Sequence, residues 1–405
     1  MAVKRSLSSL ELFTGAGGLA LGVAEAGYHH EAVVEWNHDA CCSLRDNSTR
    51  LRIMRGWPIF EQDVRDYDFT CHTRSVDLIA AGAPCQPFSL GGKHGGFRDD
   101  RNMFPEVFRA VREVLPPVVV VENVKGLLRT AFQEYFDYIV AALTAPEILE
   151  VPGKGWQHHK ARLDVAIGTG KIPGARYNVS YQLVNAANYG VPQRRERVFI
   201  VAFREDVNVT WTGLRATHSE DALLHAKWIS GDYWKEHHIR PLAPPTHLAT
   251  RLQRLRSNSE ALRLPRWRTV RDALEGLPEP VDYKEHPLIH NHAGNPGARS
   301  YPGHTGSLWD EPSKTLKAGD HGVPGGENML RSEDGSVRYL TVREAARIQT
   351  FPDDYVFKGA WSEGFRQLGN AVPVRLAAAV AKDVRRILND SALETRAPSR
   401  SKRVA

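Results

Sequence analysis

Five short apolar runs, LELF, EAVVEW, VDLIAAG, PVVVVENV and RERVFIVAF, recur through the first two hundred residues, separated by stretches with helical spacing. Such alternation restricts the chain to an α/β fold: a parallel sheet with helices on both faces, because a parallel pair needs a crossover long enough to hold a helix. Two crossover helices are legible in MFPEVFRAVREVL and in the segment Ala131 to Leu143, which place apolar residues at helical spacing. From Val151 to Arg176 the alternation stops. PGKGW and GTGKIPGAR punctuate this stretch with glycine and proline, so it reads as an extended surface loop.

After Arg204 continuous apolar runs become rare, arginines and histidines accumulate, and glycine and proline crowd residues 287–326. That change of texture predicts two domains, over 1–210 and 211–338. Periodicity returns in LTVREAARIQTFPDDY and QLGNAVPVRLAAAVAKDVRRIL, the latter read as one amphipathic helix that brings residues 339–389 back onto the first sheet. Residues 390–405 are polar and basic and read as a frayed tail. A chain of 405 residues, 42% hydrophobic and 25% charged, can bury a full core under this plan. No stretch is apolar enough for a signal peptide or a bilayer span. Cys41, Cys42, Cys71 and Cys85 make neither CxxC pairs nor a spaced disulfide framework, which points to a reducing cytoplasm. The net charge of +6 leans toward a polyanionic partner. It is concentrated in Arg251, Arg254, Arg256, Arg263, Arg266, Arg268 and Arg271, which face only Glu260 among acidic residues, in a stretch that suits either phosphates or a solvated helix face.

Chemistry is expected where strands end. LELF runs into Thr14-Gly15-Ala16-Gly17-Gly18-Leu19-Ala20 and then a helix, so glycines stand where the backbone turns sharply and a ligand can approach. Glu35 ends the next strand, at the distance of a carboxylate that accepts from ribose hydroxyls, a placement that suits NAD as well as S-adenosylmethionine. VDLIAAG leads into Gly82-Ala83-Pro84-Cys85-Gln86-Pro87, where prolines stiffen the loop around a thiol. A lone cysteine is more often a small buried hydrophobe than a nucleophile, but a strand end in an open parallel sheet is where ligands bind. Glu122 emerges from four valines, either to cap a helix or to work with a raised pKa. In Gln193-Arg194-Arg195-Glu196-Arg197, alternation puts Arg195 and Arg197 on one face.

The order of these motifs resembles the cytosine-5 DNA methyltransferase family: ELFTGAGGL, GAPCQPFS, VVENVKGL, QRRERVFIV, REAARIQTFPDDY and QLGNAV look like its motifs, in its order, from residue 11 to 373. The resemblance implies a Rossmann-like sheet of the S-adenosylmethionine-dependent methyltransferases with a smaller, irregular target-recognition domain. It implies that Phe13, Gly15, Gly17, Gly18 and Leu19 surround the cofactor, with Glu35 on its ribose, Trp36 on its adenine, Asp63 on the adenine amino group, Asn370 at the methionine end, and Val64, Pro84 and Phe104 along the wall. Cys85 becomes the nucleophile that adds to carbon 6 of cytosine, Glu122 meets the ring nitrogen 3, and Arg197 with Arg195 holds the carbonyl oxygen. The target carbon lies inside the duplex stack, so the base must be rotated out, and the segment Pro87 to Arg101 resembles the family's closing loop.

By the same resemblance the region from Trp211 to Arg338 reads DNA, with Gln86, Ser89, Arg251, Arg254, Arg256 and Arg268 as contacts. Double-stranded DNA is the expected partner of a monomer that works beside a cognate restriction endonuclease in a bacterial cytoplasm, associated with the nucleoid when bound. No metal is expected, since His286, His290, His292, His304 and His321 lack cysteines or regular spacing. A transfer-RNA methyltransferase of the same family is the alternative. An NAD-dependent enzyme would leave Cys85, Glu122 and Arg197 unexplained.

Overall fold

The computed structural model describes residues 6–84, 102–257, 263–318 and 328–396, side chains of 392–396 excepted. Strand β1 (Leu7–Leu12) turns into helix α1 (Gly18–Glu25), and β2 (Tyr28–Glu35) returns parallel to β1. Helix α2 (His38–Arg50) begins at Asn37, whose side chain accepts from Ala40 N and so satisfies one donor left open at a helix start. There follow β3 (Ile59–Glu61), β4 (Leu78–Ala81), α3 (Phe104–Val114), β5 (Val118–Val124), α4 (Gln133–Thr144), α5 (Gly155–Thr169), β6 (Tyr177–Asn185) and β7 (Glu196–Arg204). They complete a seven-stranded sheet of order β3-β2-β1-β4-β5-β7-β6.

The first five strands in that order are parallel, whereas β7 runs antiparallel to both β5 and β6. The all-parallel expectation fails at this edge for a simple reason: the link from Asn185 to Glu196 is too short for a crossover, so the chain can only reverse. Strand β6 was invisible to a search for apolar runs because it is an edge strand, largely half-exposed. In the centre, Leu78 to Ala81 and Val118 to Val121 are at most 2% exposed. The strand order reverses between β1 and β4, and it is at such a switch point that open α/β sheets form a ligand crevice beyond their carboxyl ends.

The expected surface loop over 151–176 is instead mostly helix α5. Flanking glycines misled the reading: Gly170, at φ 69, ends the helix as a left-handed cap, and the helix interior is held by buried His159 and Leu163. His159 Nε2 lies 2.6 Å from Ile148 O and its Nδ1 3.0 Å from the Tyr138 hydroxyl.

Beyond the sheet come α6 (Glu220–Trp228), α7 (Asp232–Glu236), α8 (Ala249–Arg256), α9 (Val270–Leu274) and a small sheet of β8 (Ser307–Leu308), β9 (Met329–Arg331) and β10 (Val337–Tyr339). Helix α10 (Val342–Ile348) opens with a capping box between Thr341 and Glu344. The expected single C-terminal helix is two, α11 (Trp361–Asn370) and α12 (Val374–Arg396). Pro373 has no N–H and disfavours helical backbone at Val372, so the chain breaks there. Helix α12 also runs seven residues, 390–396, into the segment expected to fray; residues 397–405 lie outside the described residues.

Helix α12 lies against α1. A Cβ built on Gly22 falls 2.4 Å from Ala377 Cβ and 2.5 Å from Ala378 N, so only glycine allows this approach. Gly22→Val is therefore expected to cost about 1–3 kcal/mol or more, seen as a lowered thermal midpoint; an unchanged midpoint would contradict this packing.

Candidate active site

A cavity of about 470 Å³ opens at the switch point, lined among others by Phe13, Gly15, Leu19, Glu35, Trp36, Asp63, Val64, Pro84, Glu122, Arg197 and Asn370. That size suits a nucleoside-sized ligand. Eleven expected site residues, from the ends of six strands with their adjoining turns and from the end of helix α11, thus share one space. Phe13 holds the left-handed backbone (φ 56) that a bulky residue rarely adopts, a local strain typical of functional sites.

Glu35 organises the turn. Its Oε2 accepts from Gly15 N at 2.6 Å and its Oε1 from Asn37 N at 2.8 Å. Burial pushes its carboxyl above the usual range, against the pull of backbone hydrogen bonds from Asn37, Gly15 and Trp36. Trp36 is 73% exposed, an indole face presented to the cavity mouth. Asp63, expected to accept from an adenine amine, also takes Arg65 Nε at 3.0 Å and Nη2 at 2.6 Å. Arg65 hydrogen bonding holds the Asp63 carboxyl below its usual range.

Glu122 sits on β5 diagonally across from Arg197 on β7, because Val124 is the residue paired with Arg197. Arg197 Nε lies 2.7 Å from Glu122 Oε1, with both side chains close to fully buried. Burial raises the Glu122 pKa, and the charges of Arg197 and then Arg195 oppose the rise. Asn123 Nδ2 donates to Ala83 O at 3.3 Å, tying β5 to the loop that carries Pro84. Cys85, Gln86 and Ser89, with the expected closing loop of 87–101, lie outside the described residues.

Several expected site residues stand elsewhere. Gly17 and Gly18 do not line the cavity; a Cβ on Gly18 would meet Val372 O at 2.2 Å and one on Gly17 would meet Leu44 Cδ2 at 2.9 Å, so Gly18 lets the turn pack against the α11–α12 break and Gly17 lets it pack against α2. Phe104 is 0% exposed and belongs to the core beneath α3, while its neighbour Met103 lines the cavity. Arg195 is also 0% exposed: Nη1 donates to Leu316 O at 3.0 Å, and Nη2 to Gly369 O and Ala371 O at 2.7 and 2.9 Å. It clamps the backbone on both sides of Asn370 instead of facing the cavity as Arg197 does.

Sequence reasoning missed Arg366 and Gln367, which line the cavity from α11, one turn before the recognised Asn370. Gln367 lies 2.8 Å from Ser43 Oγ and so ties α11 to α2. The Tyr355 hydroxyl donates to Ala16 O at 2.7 Å, fastening the glycine turn from 339 positions away. Gln367, Tyr355 and Ala16 lie in motifs quoted above, but the sequence does not show which of these segments touch.

Of the expected DNA contacts among the described residues, Arg254, Arg256 and Arg268 are exposed. On α8 the two arginines lie opposite Leu252 and Leu255, which pack with Leu224. Arg251 is already engaged, lying 2.9 Å from Glu220 and 2.5 Å from Asp221. Arg266 binds Asp272 and Glu236, and Arg271 binds Asp310, so much of the basic stretch is neutralised internally. His292, one of the five histidines, is buried between Thr341 Oγ1 and Pro278 O. Glu236, His237 and Asp272 form the cluster of metal-ligand type among the described residues, and the Arg266 guanidinium already supplies positive charge to its two carboxylates.

Residues 7–145 and 154–386 match the model of the C-5 cytosine-specific DNA methylases, and the chain belongs to that family. It is a DNA cytosine-5 methyltransferase. The type II methyltransferase M.Eco47II of Escherichia coli is 34% identical over 391 residues, covering 94% of this chain and 79% of that protein. The type II methyltransferase M.PspPI of a Psychrobacter strain is 33% identical over 390 residues, covering 95% and 80%. Among solved structures, the Dnmt2 methyltransferase of S. pombe shares the fold at a TM-score of 0.52 and 16% identity, with 95% of this chain and 99% of that one covered. Family and fold imply use of S-adenosylmethionine. Among the described residues no helix is long and apolar enough to cross a membrane.

Proposed function

We propose that the chain methylates carbon 5 of a cytosine rotated out of a specific duplex sequence, through a covalent adduct of Cys85, and that it protects DNA in a restriction-modification system. One observation carries this reading: the Glu122–Arg197 pair and the Glu35–Gly15 turn wall the same cavity, so an acid for the base and a seat for a nucleoside donor lie within one space. The donor site fits S-adenosylmethionine by the chemistry present: an aromatic face at Trp36, a carboxylate for ribose hydroxyls at Glu35, a second carboxylate at Asp63 and the Asn370 amide.

When bound, S-adenosylmethionine supplies an electrophilic methyl group. The Cys85 thiolate adds to carbon 6 of the extruded ring, and Glu122 donates a proton at nitrogen 3 as charge develops there. Arg197 holds the carbonyl oxygen and keeps Glu122 oriented. Once carbon 5 carries the methyl group it loses its proton to a base, the sulfur departs from carbon 6 as thiolate, and nitrogen 3 returns its proton to Glu122. Gln86 and Ser89 act beside the extruded base. Residues 211–338 read the duplex with Arg254, Arg256 and Arg268, and residues 1–210 and 339–389 form the catalytic body. The protein acts as a monomer in the cytoplasm, beside a cognate endonuclease.

The test is transfer of labelled methyl groups to duplex DNA and to transfer RNA in parallel, followed by bisulfite sequencing of the DNA. Label in DNA at one recurring sequence is the expected result; label confined to RNA would reverse the choice of substrate. The transfer-RNA alternative is not favoured, because M.Eco47II and M.PspPI, which are similar along nearly the whole chain, are named type II methyltransferases and the Dnmt2 likeness is one of fold.

Donor affinity should depend on pH through Glu35. Its folded value lies above the ordinary carboxylate range, so protonation begins at a higher pH than for a free glutamate. A protonated carboxyl accepts ribose hydroxyls less well, and S-adenosylhomocysteine should bind progressively more weakly as pH falls through that raised value. Glu35→Gln should weaken binding at neutral pH about tenfold or more and remove the acid-side decline. Calorimetric titration across pH 5–8 reads both; a wild-type affinity flat over that range counts against the ribose role.

A further inference from the structure

Residues Pro192 to Arg195 lie between two segments distant in sequence. On one side Arg194 N donates to Ser313 O at 2.8 Å, Ser313 N to Pro192 O at 2.9 Å, and Thr315 Oγ1 to Arg194 O at 2.7 Å. On the other, Arg195 grips Gly369 O and Ala371 O around Asn370. Beneath runs a line of side-chain amides. Leu316 N donates to Gln193 Oε1 at 3.1 Å, Gln193 Nε2 to Gln349 Oε1 at 3.1 Å, and Gln349 Nε2 to Leu368 O at 2.6 Å and Ala371 O at 3.3 Å. Both glutamines are 0% exposed.

The line has a direction. A backbone donor stands at one end and backbone acceptors at the other, so each amide has one orientation that satisfies its neighbours. Turning either amide alone would set NH2 against N–H or oxygen against oxygen in a buried site, at the cost of an unsatisfied polar group. Turning both together would create the same mismatches at the two backbone ends, so the line holds as one unit. At the Leu316 end, a cleft of about 150 Å³ is lined by Arg194, Thr305, Glu311, Lys314 and Arg331; Arg194 is paired with Glu311 and Glu220, so Lys314 and Arg331, both from the region read above as DNA-facing, are the cations it offers a phosphate. At the other end, Gly369, Asn370 and Ala371 line the donor cavity.

We propose that Gln193 and Gln349 are positioning residues that couple duplex DNA at the Lys314 cleft to donor binding at Asn370. The proposal rests on the DNA and donor reading above. Seating a phosphate against Lys314 and Arg331 fixes the segment from Ser313 to Leu316, and the amide line then holds Leu368 to Ala371 in the donor-binding position. The coupling is reciprocal: donor occupancy tightens DNA binding by the same factor.

The measurement is the affinity for S-adenosylhomocysteine with and without a duplex oligonucleotide bearing the methylated sequence. Their ratio is the coupling factor, which in coupled proteins typically spans about 5–150-fold. At least about fivefold is expected here. In Gln349→Met, which keeps the volume and removes the relay, the factor should fall to nearly one while affinity without DNA changes little. Gln193→Met should do the same, and the double variant should be no worse than either single one, since both break one line. Losses that add would instead mark two unrelated packing effects and overturn the relay. So would a wild-type factor of one, or an undiminished factor in folded Gln349→Met. Thr315→Val, which removes a half-buried hydroxyl and leaves the core intact, should lower the factor about two- to tenfold and keeps the test open if the buried variants fail to fold; an unchanged factor there too would overturn the proposal. A wild-type protein that methylates no DNA would be a failure of the function proposed above, and is distinguishable because activity is read separately from coupling.

Discussion

Cys85→Ser should abolish methyl transfer, with kcat lowered by about 10⁴-fold or more, while affinity for duplex DNA stays within a few-fold of wild type. Addition to carbon 6 requires an anionic nucleophile, and a serine hydroxyl is far harder to ionise than a thiol near neutral pH. Carbon 5 of an unactivated cytosine is too poor a nucleophile to take the methyl group, so no slower parallel route should rescue the rate. Duplex DNA with 5-fluorocytosine at the target gives the complementary result: fluorine cannot leave as a proton does, so wild-type protein should be trapped covalently and the serine variant should not. Near-normal turnover by Cys85→Ser, or an adduct formed through another residue, would remove Cys85 from the mechanism.

Glu122→Gln is expected to have the next largest effect, lowering kcat by about 10²–10³-fold with a much smaller change in DNA affinity. Burial lifts this carboxyl above its ordinary range and Arg197, at 2.7 Å, holds it back. A raised value means the proton is retained to higher pH than on a free glutamate, so the donating form is lost as pH rises through it. The alkaline side of the wild-type kcat profile should therefore contain a decline that Glu122→Gln lacks, because an amide does not titrate. Equal losses of rate and affinity, or an unaltered profile, would make Glu122 a structural partner of Arg197.

What was legible in the sequence was where strands end, since runs such as VVVVENV announce both their own burial and the polar residue that follows them. Glu35, Glu122 and the glycine turn were found that way, whereas Arg197, at the start of its strand, was read as a base contact only from the family resemblance; the structure brings Glu35, Glu122, Arg197 and Gly15 to one cavity. Residues whose roles depend on a distant partner were not legible. Arg195 reads as a twin of Arg197 by alternation alone, and only the fold reveals that Leu316, Gly369 and Ala371 carbonyls surround it. Arg251 reads as a free cation until Glu220 and Asp221 are placed beside it. Phe104 lies one residue from a cavity-lining position, a margin that helical register decides and a motif cannot. Helix α5 was hidden because glycine marks a helix cap as readily as a loop.

Tyr355 reaching back to Ala16, and α12 seated in the space that Gly22 leaves open, have a consequence for biosynthesis. The ribosome releases the glycine turn early, but the groups that hold it in shape emerge only after several hundred more residues. Closure of so long a loop is slow and must precede a working donor pocket. A nascent chain is thus inert until α12 has emerged, and a protease that cut near residue 340 would disarm the enzyme while leaving every strand of the large sheet intact.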